Sequence, residues 1–393
     1  MTAAHSSRWL LLLGFLIALG PLAIDMYLPA FPAIEQRFGA GAQLTLSGFF
    51  AGLVLGQLFY GPISDHIGRR RPILVGITVY TLASFACTQA DSLHSLAALR
   101  FLQAMGACAG MVLTRAIVRD RCEARAAAQA QSRLMLVMGL APILAPSLGG
   151  WLLQHAQWQA IFIAQGIAGT IILLACTLSL TESLPQERRH KTISIRSVIS
   201  TFAELLQERR YMGFTLSGGL TMTGMFAYIA GSPDVLISLH GLTPQAYAVF
   251  FGMNSAGFII SSQVNAHLLK KHDMTHLLNL GLWVPMTAAL VMLVAEIFHL
   301  LSLPVLAAAL FAYIASLGFI VPNAGAAALA TQGQRAGAAA SLQGALQFLT
   351  AAIAATALAH WQRPDALPLA IVMSMAGTGA FIANRWMLGR LHA

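Results

Sequence analysis

The chain has 393 residues, 57% of them hydrophobic and only 9% charged, with a formal net charge of +9. Soluble domains carry charge on roughly a quarter of their residues, so this composition excludes an ordinary soluble enzyme and describes a polytopic membrane protein. Nor does the positive balance mark a nucleic-acid binder, because the basic residues are scattered between apolar runs, where the positive-inside rule expects them. The four cysteines, Cys87, Cys108, Cys122 and Cys176, stand singly without metal-type spacing, and neither a disulfide nor a metal site is expected.

About 20 apolar residues cross a bilayer as a helix, and by that ruler the chain divides into twelve spans. The first six lie at about 9–32, 43–63, 73–90, 94–117, 132–154 and 158–180. A polar stretch, 181–210, follows. Six more lie at about 211–235, 244–266, 276–298, 302–324, 336–359 and 366–388. The expected domains are a six-helix bundle over 1–180, a cytoplasmic linker over 181–210 and a second bundle over 211–393. With the N-terminus inside, twenty of the 23 Lys and Arg fall on the cytoplasmic side, Arg37 and Arg363 fall outside, and Arg100 lies within a span. Both termini are therefore expected in the cytoplasm.

Span one follows a single basic residue, Arg8, and many equally long apolar runs come after it, so it reads as a retained helix rather than a signal peptide. It ends in PLAIDMYLPAFP, residues 21–32, which carries Asp25. A carboxylate inside hydrocarbon costs several kcal/mol, and such residues mark functional sites or pairs. Arg100 in span four is the natural partner. At ~1.5 Å per residue, Asp25 lies about 24 Å above the cytoplasmic edge at Trp9 and Arg100 about 9 Å below the outer edge at His94. In a ~30 Å core the two depths agree, so the side chains are expected to meet if spans one and four are neighbours. Either a proton-coupling pair or a structural lock between two helices would satisfy this pattern.

The first short cytoplasmic loop reads GPISDHIGRRRP, residues 61–72. Gly61 and Gly68 suit tight turns; Asp65 supplies a carboxylate, and Arg69, Arg70 and Arg71 a basic cluster. A solvated, inside-positive turn is one reading. The other is a charged latch, with Asp65 docked on the positive N-terminus of span eleven and Arg69 or Arg70 paired with Asp120 at the end of span four. Gly48, Gly52 and Gly56 in span two, and Gly337, Ser341 and Ala345 in span eleven, recur every four residues and permit close helix contact, with neighbours or across the halves. In span five Pro142 and Pro146 each remove a helical hydrogen bond and are expected to kink it.

The linker includes TISIRSVISTFAELL, amphipathic enough to lie along a membrane surface, and is expected to be a connector rather than a site. In span seven Met222, Met225, Phe226 and Tyr228 could line an adaptable pocket or simply pack, as could Tyr27 in span one. Asn254 and Asn323 are embedded amides that need partners, whether in a cavity or between helices. His272 and His276 flank Asp273 at ligand-like spacing, but Lys270 and Lys271 disfavour a cation there. No Gly-Lys dipeptide occurs, so the chain has no Walker A phosphate loop. Embedded ionisable groups are too few for catalysis and too few for the charged rings of a channel.

G-x-x-x-D-x-x-G-R-R, met by Gly61, Asp65, Gly68, Arg69 and Arg70, resembles motif A of the major facilitator superfamily, with His66 where Arg or Lys is usual. LAALRFLQAMG resembles the fourth-segment motif through Leu96, Arg100 and Gln103, with Ala104 for its usual Gly. GLAPILAPSLGGWL resembles the fifth-segment antiporter motif through Pro146, Gly149 and Gly150, with Ala145 where Gly is typical. IDMYLPAFP, VRD at 118–120 and TESLP at 181–185 resemble the bicyclomycin-resistance (Bcr/CflA) branch of drug:proton antiporters. The resemblance implies an all-α fold of twelve transmembrane helices in two pseudo-symmetric bundles, in a bacterial inner membrane. It also implies a non-enzymatic exporter of small amphiphilic compounds, antibiotics in the main, driven by the proton gradient without a cofactor and acting as a monomer. Export of an endogenous metabolite such as an amino acid or sugar, or a non-coupled channel or sensor, is the alternative.

Overall fold

The computed structural model describes residues 3–122, 124–188, 195–361, 363 and 365–388. Among them the regular structure is entirely helical, and nine helical stretches are long and apolar enough to cross a membrane. The chain forms two compact units, Met1–Ser194 and Ile195–Ala393.

In the first unit α1 (Ala3–Asp25) is followed by a single 3-10 turn (Leu28–Ala30) and α2 (Phe31–Phe38). The expected span is thus broken at Asp25. Pro29 is the reason: it has no N–H for the Asp25 carbonyl, and its ring clashes with the carbonyl four residues back. Then come α3 (Gln43–Ile67), α4 (Arg70–Cys87), α5 (Leu93–Arg121), α6 (Ala124–His155) and α7 (Gln159–Ser179). α3 runs four residues past its expected end. Gly61 therefore lies inside the helix and not in a turn, its carbonyl accepting the Ser64 hydroxyl at 2.8 Å. Gly68, at φ 95°, is the residue that turns the chain. α6 continues through both Pro142 and Pro146.

The glycine stripe of α3 is taken up within this unit. A Cβ on Gly48 would stand 2.4 Å from the Ala97 carbonyl oxygen, and one on Gly52 would stand 2.3 Å from that of Phe101. Backbone-to-backbone approach of α3 and α5 requires glycine at both positions.

The second unit begins with α8 (Ile195–Gln207), then α9 (Arg209–Pro233), which ends in a π-helical turn (Asp234–Leu239). α10 (Pro244–Leu268) follows. Span nine is two helices, α11 (Met274–Gly281) and α12 (Trp283–Ile297), because Pro285 denies the Gly281 carbonyl its N–H. α13 (Leu303–Leu329), α14 (Ala336–His360) and α15 (Leu367–Leu388) complete it.

Long apolar side chains remain on the outside of both units, among them Leu178, 86% exposed, Leu82, Ile260 and Met375. A solvent of hydrocarbon accounts for such a surface, and helices satisfy their own backbone groups there.

The linker is not free at either end of its described part. Residues 189–194 fall outside the described residues. Before them, 181–184 is bonded to the ends of α4 and α5. After them, α8 buries Leu205 against Tyr211, Phe214, Ala339 and Leu342, so its apolar face covers protein where the sequence suggested a membrane surface. Arg335 anchors it further, pairing with Glu204 at 2.9 Å.

Candidate functional site: the break in helix one

Arg100 is fully buried. Its helix is started two turns earlier by a capping box, in which the Ser92 hydroxyl accepts the Ser95 N–H and the Ser95 hydroxyl accepts the Ser92 N–H, each at 3.1 Å. That fixed start points the guanidinium at the end of α1. There Nη1 donates to the Ala23 carbonyl at 2.9 Å, one of the acceptors that a helix end leaves without an internal partner. Nη1 also donates to Gln103 Oε1 at 2.7 Å. The rings of Tyr27, Phe49 and Phe162 lie 4.7, 4.4 and 5.8 Å from the guanidinium carbon, within cation–π range. Among the described residues, Nε and Nη2 have no hydrogen-bond partner.

Gln103 is held from two sides. Its Nε2 donates to Ser84 Oγ at 2.7 Å and to Gln165 Oε1 at 2.8 Å, so its oxygen is left for Arg100. Tyr27 is fully buried and its hydroxyl bonds Thr45 Oγ1 at 2.9 Å; because Thr45 donates to the Ala42 carbonyl, Tyr27 is the donor.

Asp25 is 4% exposed, and its carboxyl enters none of the hydrogen bonds or ion pairs of the described residues. The expected Asp25–Arg100 pair is therefore absent. The helices do meet, as the depth argument required, but the side chains do not. Arg100 addresses the Ala23 and Tyr27 side of α1, and Asp25, two residues on from Ala23, is turned about 200° around that helix. What stands beside the break is α6: a Cβ on Gly149 would lie 2.1 Å from the Met26 carbonyl oxygen. Gly149 and Gly150 are buried, as is Pro146, while Pro142 is half-buried.

At the other end of the unit, Arg69 rather than Arg70 pairs with Asp120, Nε to Oδ2 at 2.9 Å. Its Nη1 meets Asp65 Oδ1 and Ser64 Oγ, both at 2.6 Å. Arg70 instead donates to the Leu180 carbonyl at 2.7 Å and the Thr177 carbonyl at 2.9 Å.

The second-unit candidates form local contacts. Met222 and Met225 are half-buried, and the Phe226 ring centre lies 5.6 Å from that of Phe348. Asn254 donates to the Tyr228 hydroxyl at 2.9 Å, and Asn323 exchanges bonds with Asn265 at 2.9 and 3.3 Å. Both amides are thereby satisfied between helices. Asp273 caps α11 through the Thr275 N–H at 2.9 Å, which explains its position between the two histidines.

Ser84, Phe49, Phe162 and Gln165 were not singled out by sequence. Gln165 could have been: an embedded Gln103 needs partners, and Gln165 is a second amide in the neighbouring apolar spans.

Residues 13–357 match the family model described as Major Facilitator Superfamily. The chain is 37% identical over 367 residues to the "Uncharacterized MFS-type transporter YdgK" of Bacillus subtilis, covering 92% of this chain and 90% of that one. It is 28% identical to the "Bicyclomycin resistance protein homolog" of Haemophilus influenzae, covering 97% and 96%. Among solved structures it is similar in fold to a bacterial homolog of the human lysosomal transporter Spinster, with a TM-score of 0.75 at 15% identity and 99% of each chain covered.

Proposed function

We propose that this chain, which belongs to the Major Facilitator Superfamily, exports small amphiphilic compounds, antibiotics among them, in exchange for protons. One observation carries the reading: among the described residues a buried carboxyl without a partner ends the helix whose Ala23 carbonyl is held by a buried guanidinium with two idle donors. An ionised Asp25 in that place would need donors, because a buried charge without them is strongly disfavoured. Arg100 Nε and Nη2 are such donors, on a helix already in contact with α1. A neutral Asp25 needs far less. Gain or loss of one proton therefore asks the end of α1 to choose between two arrangements, and the break at Pro29 removes the helical hydrogen bond that would tie the Asp25 carbonyl to the next turn. Gly149 lets the Met26 backbone lie directly on α6, so a rotation there is felt by the helix that resembles the antiporter motif. The likeness to a bicyclomycin resistance protein homolog supports an amphiphilic antibiotic as substrate.

The basic residues support both termini in the cytoplasm of a bacterial inner membrane. The division into two units supports two bundles, exposing the site to the two sides of the membrane in turn as a single chain, with no cofactor. Cells expressing the chain should survive a higher dose of bicyclomycin than cells without it, and Asp25→Asn should abolish that protection at equal membrane abundance. Undiminished protection by Asp25→Asn would refute the role given to the carboxyl.

A further inference from the structure

The residues just past α7 read TESL, 181–184, and take no part in the coupling site. Their neighbour is the start of α4, where Arg69 occupies the N-terminal cap and makes no side-chain bond to its own helix. A cap position favours Ser, Thr, Asp or Asn, whose oxygen accepts one of the helix's free N–H groups. Here an arginine stands in it, its guanidinium taken by Asp65, Ser64 and Asp120.

The missing acceptor comes from 113 residues along the chain. Glu182 Oε1 accepts the Arg69 N–H at 2.8 Å, and Oε2 accepts that of Arg70 at 3.2 Å. The same carboxylate accepts the N–H groups of Ser183 and Leu184 at 3.0 Å each, which fixes its own orientation. Ser183 Oγ donates to Asp120 Oδ2 at 3.1 Å, the oxygen that also receives Arg69 Nε. Arg121 Nη2 fastens the segment by the Thr181 carbonyl at 2.7 Å and hydroxyl at 2.6 Å. One tetrapeptide thus ties the starts or ends of α4, α5 and α7 to one arginine.

We propose that Glu182 is a positioning residue for the basic cluster, holding the start of α4 where Arg69 reaches Asp65 and Asp120 together. The connector's first turn is then a working part of that cluster. The bearing of this on transport rests on the reading above; the positioning does not, and the test separates the two.

Hydrogen–deuterium exchange over residues 66–74, measured on the purified full chain by mass spectrometry, reads the cap directly. Glu182→Ala should speed that exchange about tenfold, the loss expected for hydrogen bonds to a charged acceptor, and Glu182→Gln should fall between it and the wild type. Alkylation by N-ethylmaleimide controls for general loosening: half-buried Cys122, two residues past Asp120, should react faster in Glu182→Ala, while buried Cys87, Cys108 and Cys176 should not. Because Glu182 acts through Arg69, Asp120→Asn combined with Glu182→Gln should exchange less than additively. Unchanged exchange in Glu182→Ala, acceleration of all four cysteines together, or an additive double variant would each overturn the proposal. In cells, Glu182→Gln should lower bicyclomycin protection. A wild type that gives no such protection would count against the transport reading, and the exchange data would still decide this one.

Discussion

Arg100 carries a full charge inside protein and, among the described residues, only one of its nitrogens is bonded, to a carbonyl and an amide oxygen. Aromatic faces stabilise such a cation by about 0.5–2 kcal/mol each, which makes Tyr27, Phe49 and Phe162 part of the reason it can stay. Arg100→Lys should keep the charge but lose the planar guanidinium that lies among three rings and its two idle donors, Nε and Nη2; Arg100→Ala should be worse, since it also empties the aromatic cage of its cation and leaves Ala23 and Gln103 without their donor. Counterflow of bicyclomycin in reconstituted vesicles, ranked wild type, Lys, Ala, checks the order. Gln165 acts one step further out. Gln165→Leu leaves one Gln103 N–H without its acceptor, a loss of about 1–3 kcal/mol, and frees Gln103 to turn its oxygen from Arg100. A lower thermal unfolding temperature in detergent, together with weakened proton coupling, is the expected result. Both ionisable residues were legible in the sequence because a charge in an apolar run stands out. Their failure to pair was not, since depth can be counted along a helix but rotational phase depends on how α1 is seated.

Among the elements, the helix breaks follow from proline chemistry: Pro29 ends α1 at Asp25 and Pro285 ends α11 at Gly281, each four residues back. Sequence reading merged both with their neighbours because hydropathy runs on across them. Span lengths were otherwise legible, since apolar run length is set by the bilayer, whereas the added turn of α3 was not, being polar helix beyond the membrane. Gly149 is the tightest contact at the break, and Gly149→Val should push Met26 away from α6 and cost about 1–3 kcal/mol by overpacking. The variant should insert normally and lose export before it loses its fold, as vesicle transport and circular dichroism would show. At the opposite end, burial would raise the Glu182 carboxyl, but the N–H groups of Leu184, Arg69, Arg70 and Ser183 outweigh it and hold the group below its ordinary value of 4.5. Its support for the start of α4 should then be complete above that value and disappear as pH falls through the lowered one. Among the described residues, Arg69, Arg70, Asp65, Asp120 and Arg121 are charged groups joined to it or to its segment through these bonds. Exchange protection over 66–74, corrected for intrinsic rates, should drop on acidification in the wild type and drop less in Glu182→Gln.

For the whole molecule, the distribution of charge carries the argument as much as any residue. Few charges lie within the apolar spans, and the helices present an apolar exterior, so an embedded acid with no structural partner is the feature that most needs a use. Membership of the Major Facilitator Superfamily makes the chain a transporter, and proton linkage is the use proposed for the acid. Substrate identity was not legible in the sequence, because an adaptable pocket is a matter of shape and not of motif. The measurement that tests the central claim most directly is proton flux on addition of bicyclomycin to vesicles holding the purified chain, followed by a trapped pH dye. Wild type should move protons in a saturable, substrate-dependent way, while Asp25→Asn should move none and still exchange bicyclomycin across the membrane without a gradient. Equal proton flux in the wild type and in Asp25→Asn would contradict it.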